Sequence, residues 1–322
     1  MVRNNPNTCR SVVCWPGRLL IMGEVYGESV KGKKMSNCYY SIRMYVEEYP
    51  SSINCQDLLE MADEISKLLG CNYDHLGYML LDPDYDFKDL GVMLKNNKKN
   101  REKFLELSIP QNYYGHEEEF PASPLISFEL KPKDNITLPF YSIDLDYPTK
   151  DSQYLSVRID IKEDLLLKEL TLVDFKCVQD IVSSKGYIIN SAFLHYYLGN
   201  SHRTALDGGG CGFVTINDWR IIDHSIRFIQ EWKDKIMDVF YMNSFNKEIV
   251  SKDALENVVK IVGDENVIDC EQKIVFKLPQ SKSSYLLNRI IPMKSRHAIK
   301  KILQKENICF KDASIIASIL KL

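Results

Sequence analysis

The sequence predicts an α+β fold: two related strand–helix–strand modules with antiparallel or mixed sheets, followed by C-terminal helices. Three observations predict it. The stretches "YYSIRMYVEE" and "YLSVRIDIKE" alternate apolar and polar residues, the period of a half-buried strand. Each is followed by apolar residues three and four apart, the period of an amphipathic helix. Matching positions also recur at a near-constant offset. Ser41 and Ser156, like Arg43 and Arg158, lie 115 positions apart, and the helix-capping candidates Asn54 and Thr171 lie 117 apart.

The elements follow in chain order. Residues 1–34 are rich in Asn, Gly, Arg and Lys and lack a period. They are expected to be a disordered extension or a mis-assigned start, with Met35 as the alternative initiator. Residues 35–110 form the first module. Its strand alternates Ile42, Met44 and Val46, and its helix, capped at Asn54, presents Leu58, Met61, Ala62, Ile65, Leu68 and Leu69 on one face. Gly70 is a natural stop for that helix, and "HLGYMLLD" reads as the next strand.

Residues 111–150 are read as a linker and hairpin. "IPQNYYGHEEEFPASP" carries turn residues and an acidic run, and "LISFELKPKDNITLPFYSIDLDYP" reads as two strands around a turn. Before it, "LKNNKKNREKF" is a basic cluster. A charge run of this kind is expected to be a solvated helix end, and Phe104 alone is thin equipment for stacking bases.

Residues 151–245 form the second module. Val157, Ile159 and Ile161 alternate; Thr171 and Asp174 make a capping pair; Leu172, Phe175, Val178, Ile181 and Val182 supply the apolar face; Gly186 ends it. "YIINSAFLHYYL" is a long strand, and "DWRIIDHSIRFIQEWKDKIMDVF" carries the strongest helical period in the chain. Residues 246–322 are expected to be mostly helical. Helices are placed near Asp253–Val262, Lys294–Gln304 and Asp312–Leu320, with a late strand in "CEQKIVFKL".

Composition bounds the function. Basic and acidic residues balance at 41 against 44, for a net charge of −3, which gives no general attraction for nucleic acid. No apolar run approaches the roughly 18 residues that span a bilayer, and the protein is read as cytoplasmic. The nine cysteines include no Cys-x-x-Cys pair, the usual signature of a zinc knuckle or a redox dithiol. No metal and no cofactor are expected.

"LDGGGCGF" is the most unusual stretch. It fits neither phosphate-binding glycine motif, since no Lys-Ser/Thr follows and an extended segment, not a helix, comes next. Glycine permits positive φ, and Asp-Gly marks turns, so the stretch reads as a turn. Asp207 and Gly209 remain candidates for a binding loop. An alternative is a cysteine-dependent hydrolase or transferase: Cys211 as nucleophile, His224 or His202 (with His195 a further option) as base, and Asp223 as orienting group.

A start such as "MSNCYYSIRMYVEE", then an amphipathic helix ending in Leu-Leu-Gly, then further strands, resembles bacterial immunity proteins of polymorphic toxin systems. The resemblance is architectural, spans residues 35–245, and carries over no site residues. It implies a non-enzymatic cytosolic protein that binds and neutralises a cognate toxin. The 18 tyrosines suit a binding role, and Tyr113, Tyr114, Tyr196 and Tyr197 are the candidate anchors. The expected partner is a protein, with no membrane and no nucleic acid.

Overall fold

The computed structural model describes residues 29–30, 33–34, 38–48, 55–73, 75–79, 91–106, 141–146, 155–198, 235–236, 238–286 and 294–309. These make an α+β fold built on a seven-stranded antiparallel sheet. Strands β1 (Ser29–Val30) and β2 (Lys33–Lys34) pair with each other, so regular backbone already occurs within the stretch read as patternless.

Strand β3 (Cys38–Glu48) lies inside the sheet, paired on one side with β7 (Leu155–Lys162) and on the other with β8 (Ile188–Leu198). Strand β6 (Tyr141–Asp146) lies beyond β7. On the other side, β9 (Met242–Asn246), β11 (Lys273–Lys277) and β10 (Val267–Asp269) follow β8 in that order. Arg43 and Arg158, which the repeat offset equates, stand directly opposite each other on β3 and β7. The first strands of the two modules therefore meet antiparallel at equivalent positions.

The modules then diverge. Strand β8 crosses to the far side of β3, whereas β4 (His75–Met79) leaves the main sheet to pair with β5 (Gly91–Lys95). Of the hairpin read in residues 125–148, β6 is a strand and pairs with β7; the rest lies outside the described residues.

Helices α1 (Cys55–Leu69) and α3 (Leu172–Ser184) pack against each other. Tyr40, Ile42, Met44 and Val46 of β3, Val157, Ile159 and Ile161 of β7, and Ala192 and Leu194 of β8 are buried in one cluster with Leu58, Met61, Ala62 and Ile65 of α1 and Phe175, Val178 and Val182 of α3. Period two in the strands and period 3.6 in the helices thus turn their apolar residues to a common core. Strand β3 is buried on both faces, since Ser41, Arg43 and Tyr45 are also inside.

The start of α3 matches its sequence signal. Thr171 Oγ1 accepts from Asp174 N at 3.1 Å, and Asp174 Oδ2 accepts from Thr171 N at 3.0 Å. The reciprocal bonds satisfy two amides that the first helical turn leaves open. Burial works against the Asp174 carboxylate, but hydrogen bonds from Lys168 and Thr171 outweigh it and hold the carboxyl below its ordinary range. Thr171→Ala is expected to lower stability by about 1 kcal/mol, read as a lower urea midpoint with unchanged slope.

Helix α2 (Lys98–Leu105) is capped by Asn97, whose side chain accepts from Asn100 N at 3.0 Å. Its lysines are exposed while Phe104 is fully buried, so the basic cluster is a solvated face and its aromatic is unavailable to a base. Helix α4 (Lys252–Val262) ends at Gly263, whose φ of +85° only glycine adopts without strain.

The strongest helical period in the sequence meets a correction at its C-terminal end. Residues 201–234 lie outside the described residues, and Lys235, Ile236 and Asp238–Phe240 are not helical. Side chains and a distant segment after the last described helix take the backbone groups that a helix would bond internally. Ile236 N donates to Ile308 O at 2.7 Å, Val239 N to Asp238 Oδ1 at 2.7 Å, and Phe240 N to Asn243 Oδ1 at 2.7 Å. Ile236, Val239 and Phe240 remain buried, so their spacing reports a core position and not a helix.

Helix α5 (Lys282–Leu286) contacts β8, and α6 (Lys294–Lys305) packs on α4. The second predicted C-terminal helix lies outside the described residues.

Candidate interaction surface

The described residues bring polar side chains together at several places, two of which involve sequence-derived candidates or an open cleft. The first is at the C-terminal end of α1. Gly70 adopts φ +67° and turns the chain out of the helix, after which Cys71, Asn72 and Tyr73 line an open cleft of about 360 Å³ with Asp63, Ser66, Lys67 and Asn96. Tyr73 donates its hydroxyl proton to Asp63 Oδ1. The Arg101 guanidinium donates to Tyr73 Oη at 3.0 Å and holds both carboxylate oxygens of Asp63. Asn96 Nδ2 donates to Tyr73 O at 3.0 Å.

These groups are closed on one another. Burial, with the bond to Asp63, pushes the Tyr73 phenol above its ordinary value, and the bond to Asp63 raises the Arg101 guanidinium further. Burial pushes the Cys71 thiol up to about 11, so it is protonated near neutrality and is not a ready nucleophile. The arrangement fixes a shape and a charge pattern. Beside Gly70 stands Leu167, 87 % exposed; its Cδ1 would lie 3.1 Å from a methyl group added at Gly70.

The second place is the end of the sheet where β3 begins and β8 ends. Tyr40 and Tyr196 are direct cross-strand partners with ring centroids 5.0 Å apart. Lys282 of α5 reaches over both rings, at 5.6 and 5.3 Å. It donates to Tyr40 Oη at 3.0 Å and pairs with Glu163 at 2.5 Å. Tyr196 donates to the other Glu163 oxygen at 2.8 Å. Burial raises both phenols. Burial alone would lower the Lys282 ammonium, but the bonds to Glu163 and Tyr40 outweigh it and raise it. Beside them, Tyr285 Oη and His195 Nδ1 are 2.9 Å apart.

The structure therefore places the sequence-derived candidates unequally. Tyr196 is 4 % exposed and holds α5 to the sheet, so it serves the core and does not present itself as an anchor. Tyr197 lies opposite Tyr39 in the β3–β8 ladder. His195, the further option as a base, packs against Tyr285 and Phe240. Tyr113, Tyr114, His202, Asp207, Gly209, Cys211, Asp223 and His224 lie outside the described residues. The cleft was missed in the sequence because its lining comes from α1, the turn after it and the loop before α2, with no motif in any one of them.

No helix of the described residues is long and apolar enough to cross a membrane. No family model matches the chain, and no curated protein is significantly similar to it. Among solved structures, the chain is similar to the Pseudomonas aeruginosa T6SS protein PA0821, with a TM-score of 0.45 and 11 % identity over 88 % of this chain and 85 % of that one.

Proposed function

We propose that the chain is a non-enzymatic binding protein, an immunity protein that neutralises a cognate toxin domain by direct contact. The supporting observation is a pair of exposed apolar side chains beside an ion pair on a fixed frame. Leu167 and Val173 are 87 % and 58 % exposed, each next in sequence to a member of the ion pair Lys168–Asp174, 2.8 Å long. A single exposed leucine is ordinary. Here two exposed apolar side chains accompany one ion pair, Leu167 lies by Gly70 of the open cleft, and the capping box fixes the start of α3. Exposed apolar side chains among charges, already rigid before binding, favour a protein partner. Tyr113, Tyr114, Tyr197, Asp207 and Gly209 are proposed as further contacts.

The test uses the full chain as bait in the native host, in wild-type form and as Leu167→Asp with Val173→Asp. The wild type is expected to co-elute with one stoichiometric protein, a secreted toxin or its C-terminal fragment. The double variant is expected to lose at least about tenfold in affinity for it with an unchanged melting midpoint. A wild-type bait that captures nothing refutes the reading. Selective fast labelling of Cys211 by a thiol probe would favour the enzymatic alternative.

A further inference from the structure

Helix α6 reads KSRHAIKKILQK and contains no acidic residue. The fold divides its cations into two sets. Arg296 and Lys300 turn inward onto Asp238, at 2.7 and 3.2 Å, and Arg296 also donates to Val239 O at 2.6 Å. Lys294, Lys301 and Lys305 are all exposed, with the exposed His297 on the same side. The lysines are seven and four residues apart. At 3.6 residues per turn they fall within about 40° of the helix circumference and span roughly 16 Å of its length. Ile299 and Leu303, both fully buried, occupy the opposite side. Helix α4, packed alongside, carries Lys252 and Lys260 against Asp253 and Glu256 and neither adds to the row's charge nor cancels it; Glu306 follows the row at its C-terminal end.

We infer that this row is a binding face for the phosphate backbone of a nucleic acid, read without regard to sequence. The row is straight, and the anchoring of its helix to Asp238 fixes its direction before any ligand arrives. Successive lysines rise about 10 and 6 Å along the axis, roughly three and two repeats of a strand whose charges recur every roughly 3.4 Å, and lysine reaches them because it ends in a mobile point charge. The row has no arginine and no aromatic side chain. Protein hot spots draw on Trp, Tyr and Arg, and lysine is depleted in interface cores, so an acidic protein surface fits it less well. The chain's balanced composition conceals the row, since its net charge is −3.

The test is fluorescence anisotropy of the full chain with a mixed-sequence DNA duplex of about 20 base pairs. Three lysines displace about three counterions, so affinity is expected to fall about fortyfold between about 50 and 200 mM salt. The variant Lys294→Gln, Lys301→Gln, Lys305→Gln is expected to bind at least about tenfold more weakly at about 50 mM salt, with an unchanged circular-dichroism melt because all three side chains are exposed. No binding at about 100 µM chain in low salt overturns the inference, since non-specific sites bind in the range of about 10⁻⁴ to 10⁻⁶ M. Wild-type affinity in the triple variant also overturns it, by placing the contact elsewhere. Tighter binding to polyglutamate of matched charge overturns it in favour of an acidic protein.

Discussion

Asp238→Ala is expected to destabilise the protein by about 3–5 kcal/mol, the cost of removing one partner from a buried ion pair. The Asp238 side chain has no exposure to solvent. One oxygen accepts from Val239 N and the other from Arg296 and Lys300. Truncation leaves two cations, exposed by only 16 % and 13 %, facing a void, and an amide without its acceptor. Against a typical total stability of about 5–15 kcal/mol this is a large fraction. The cause can be separated from simple packing loss. Asp238→Asn keeps an acceptor for the Val239 amide but removes the charge, so it is expected to recover part of the loss. Combining Asp238→Ala with Arg296→Met and Lys300→Met removes the orphaned cations and is expected to recover more, because an apolar replacement of a whole buried ion cluster is often neutral. Urea denaturation followed by circular dichroism measures all three. A loss below about 1 kcal/mol for the alanine variant, the level of a surface pair, would refute the clamp.

The same clamp explains what could and could not be read from the sequence. Strands β3, β7 and β8, helices α1, α3 and α4, and the capping box at Thr171 were legible because each is specified locally, by alternation, by helical spacing or by a residue pair three apart. Asp238 falls inside the segment with the strongest helical period, because a spacing of 3.6 also suits Ile236 and Phe240. What takes the segment out of the helix is Arg296, Lys300 and the Ile308 carbonyl, about 60 to 70 residues away. Strand β9 was missed for the same reason: "MNSFN" has little alternation of its own and becomes a strand by pairing with β8 and β11. Strand order is likewise a long-range property, so the passage of β8 across β3 and the departure of β4 left no local mark.

The candidate site divides along the same line. Tyr196 shares its alternation with Ala192 and Leu194, both buried, so period two already marked it as a core position. The exposed Leu167 is the third of three consecutive leucines, where hydrophobicity alone would place it inside. The outward row on α6 was available as three lysines seven and four residues apart, but an inward pair of cations in the same helix blurs it until Asp238 is known to receive them.

The cluster around Glu163 carries the second large effect. Glu163→Ala is expected to cost about 2–3 kcal/mol, because it removes the acceptor of a charged donor and of the Tyr196 hydroxyl in a half-buried site. Lys282 retains Glu169 at 3.5 Å, whose side chain is 59 % exposed and replaces little of the lost bond. The pH dependence of the same cluster has a definite sign. The phenols of Tyr40 and Tyr196 and the ammonium of Lys282 are all raised in the folded protein. A raised group binds its proton more tightly when folded than when unfolded, so its contribution is complete below the unfolded value and is lost as pH climbs toward the folded one. The unfolded values lie near 10 for tyrosine and about 10.4 for lysine, so the loss begins above about pH 10. The urea midpoint of the wild type is therefore expected to fall as pH rises above about 10. The double variant Tyr40→Phe, Tyr196→Phe should fall less steeply, since two of the raised phenols are then gone. An equally steep fall in that variant would show that the tyrosines do not hold their protons through folding, and the cluster would then be a contact of the lysine alone.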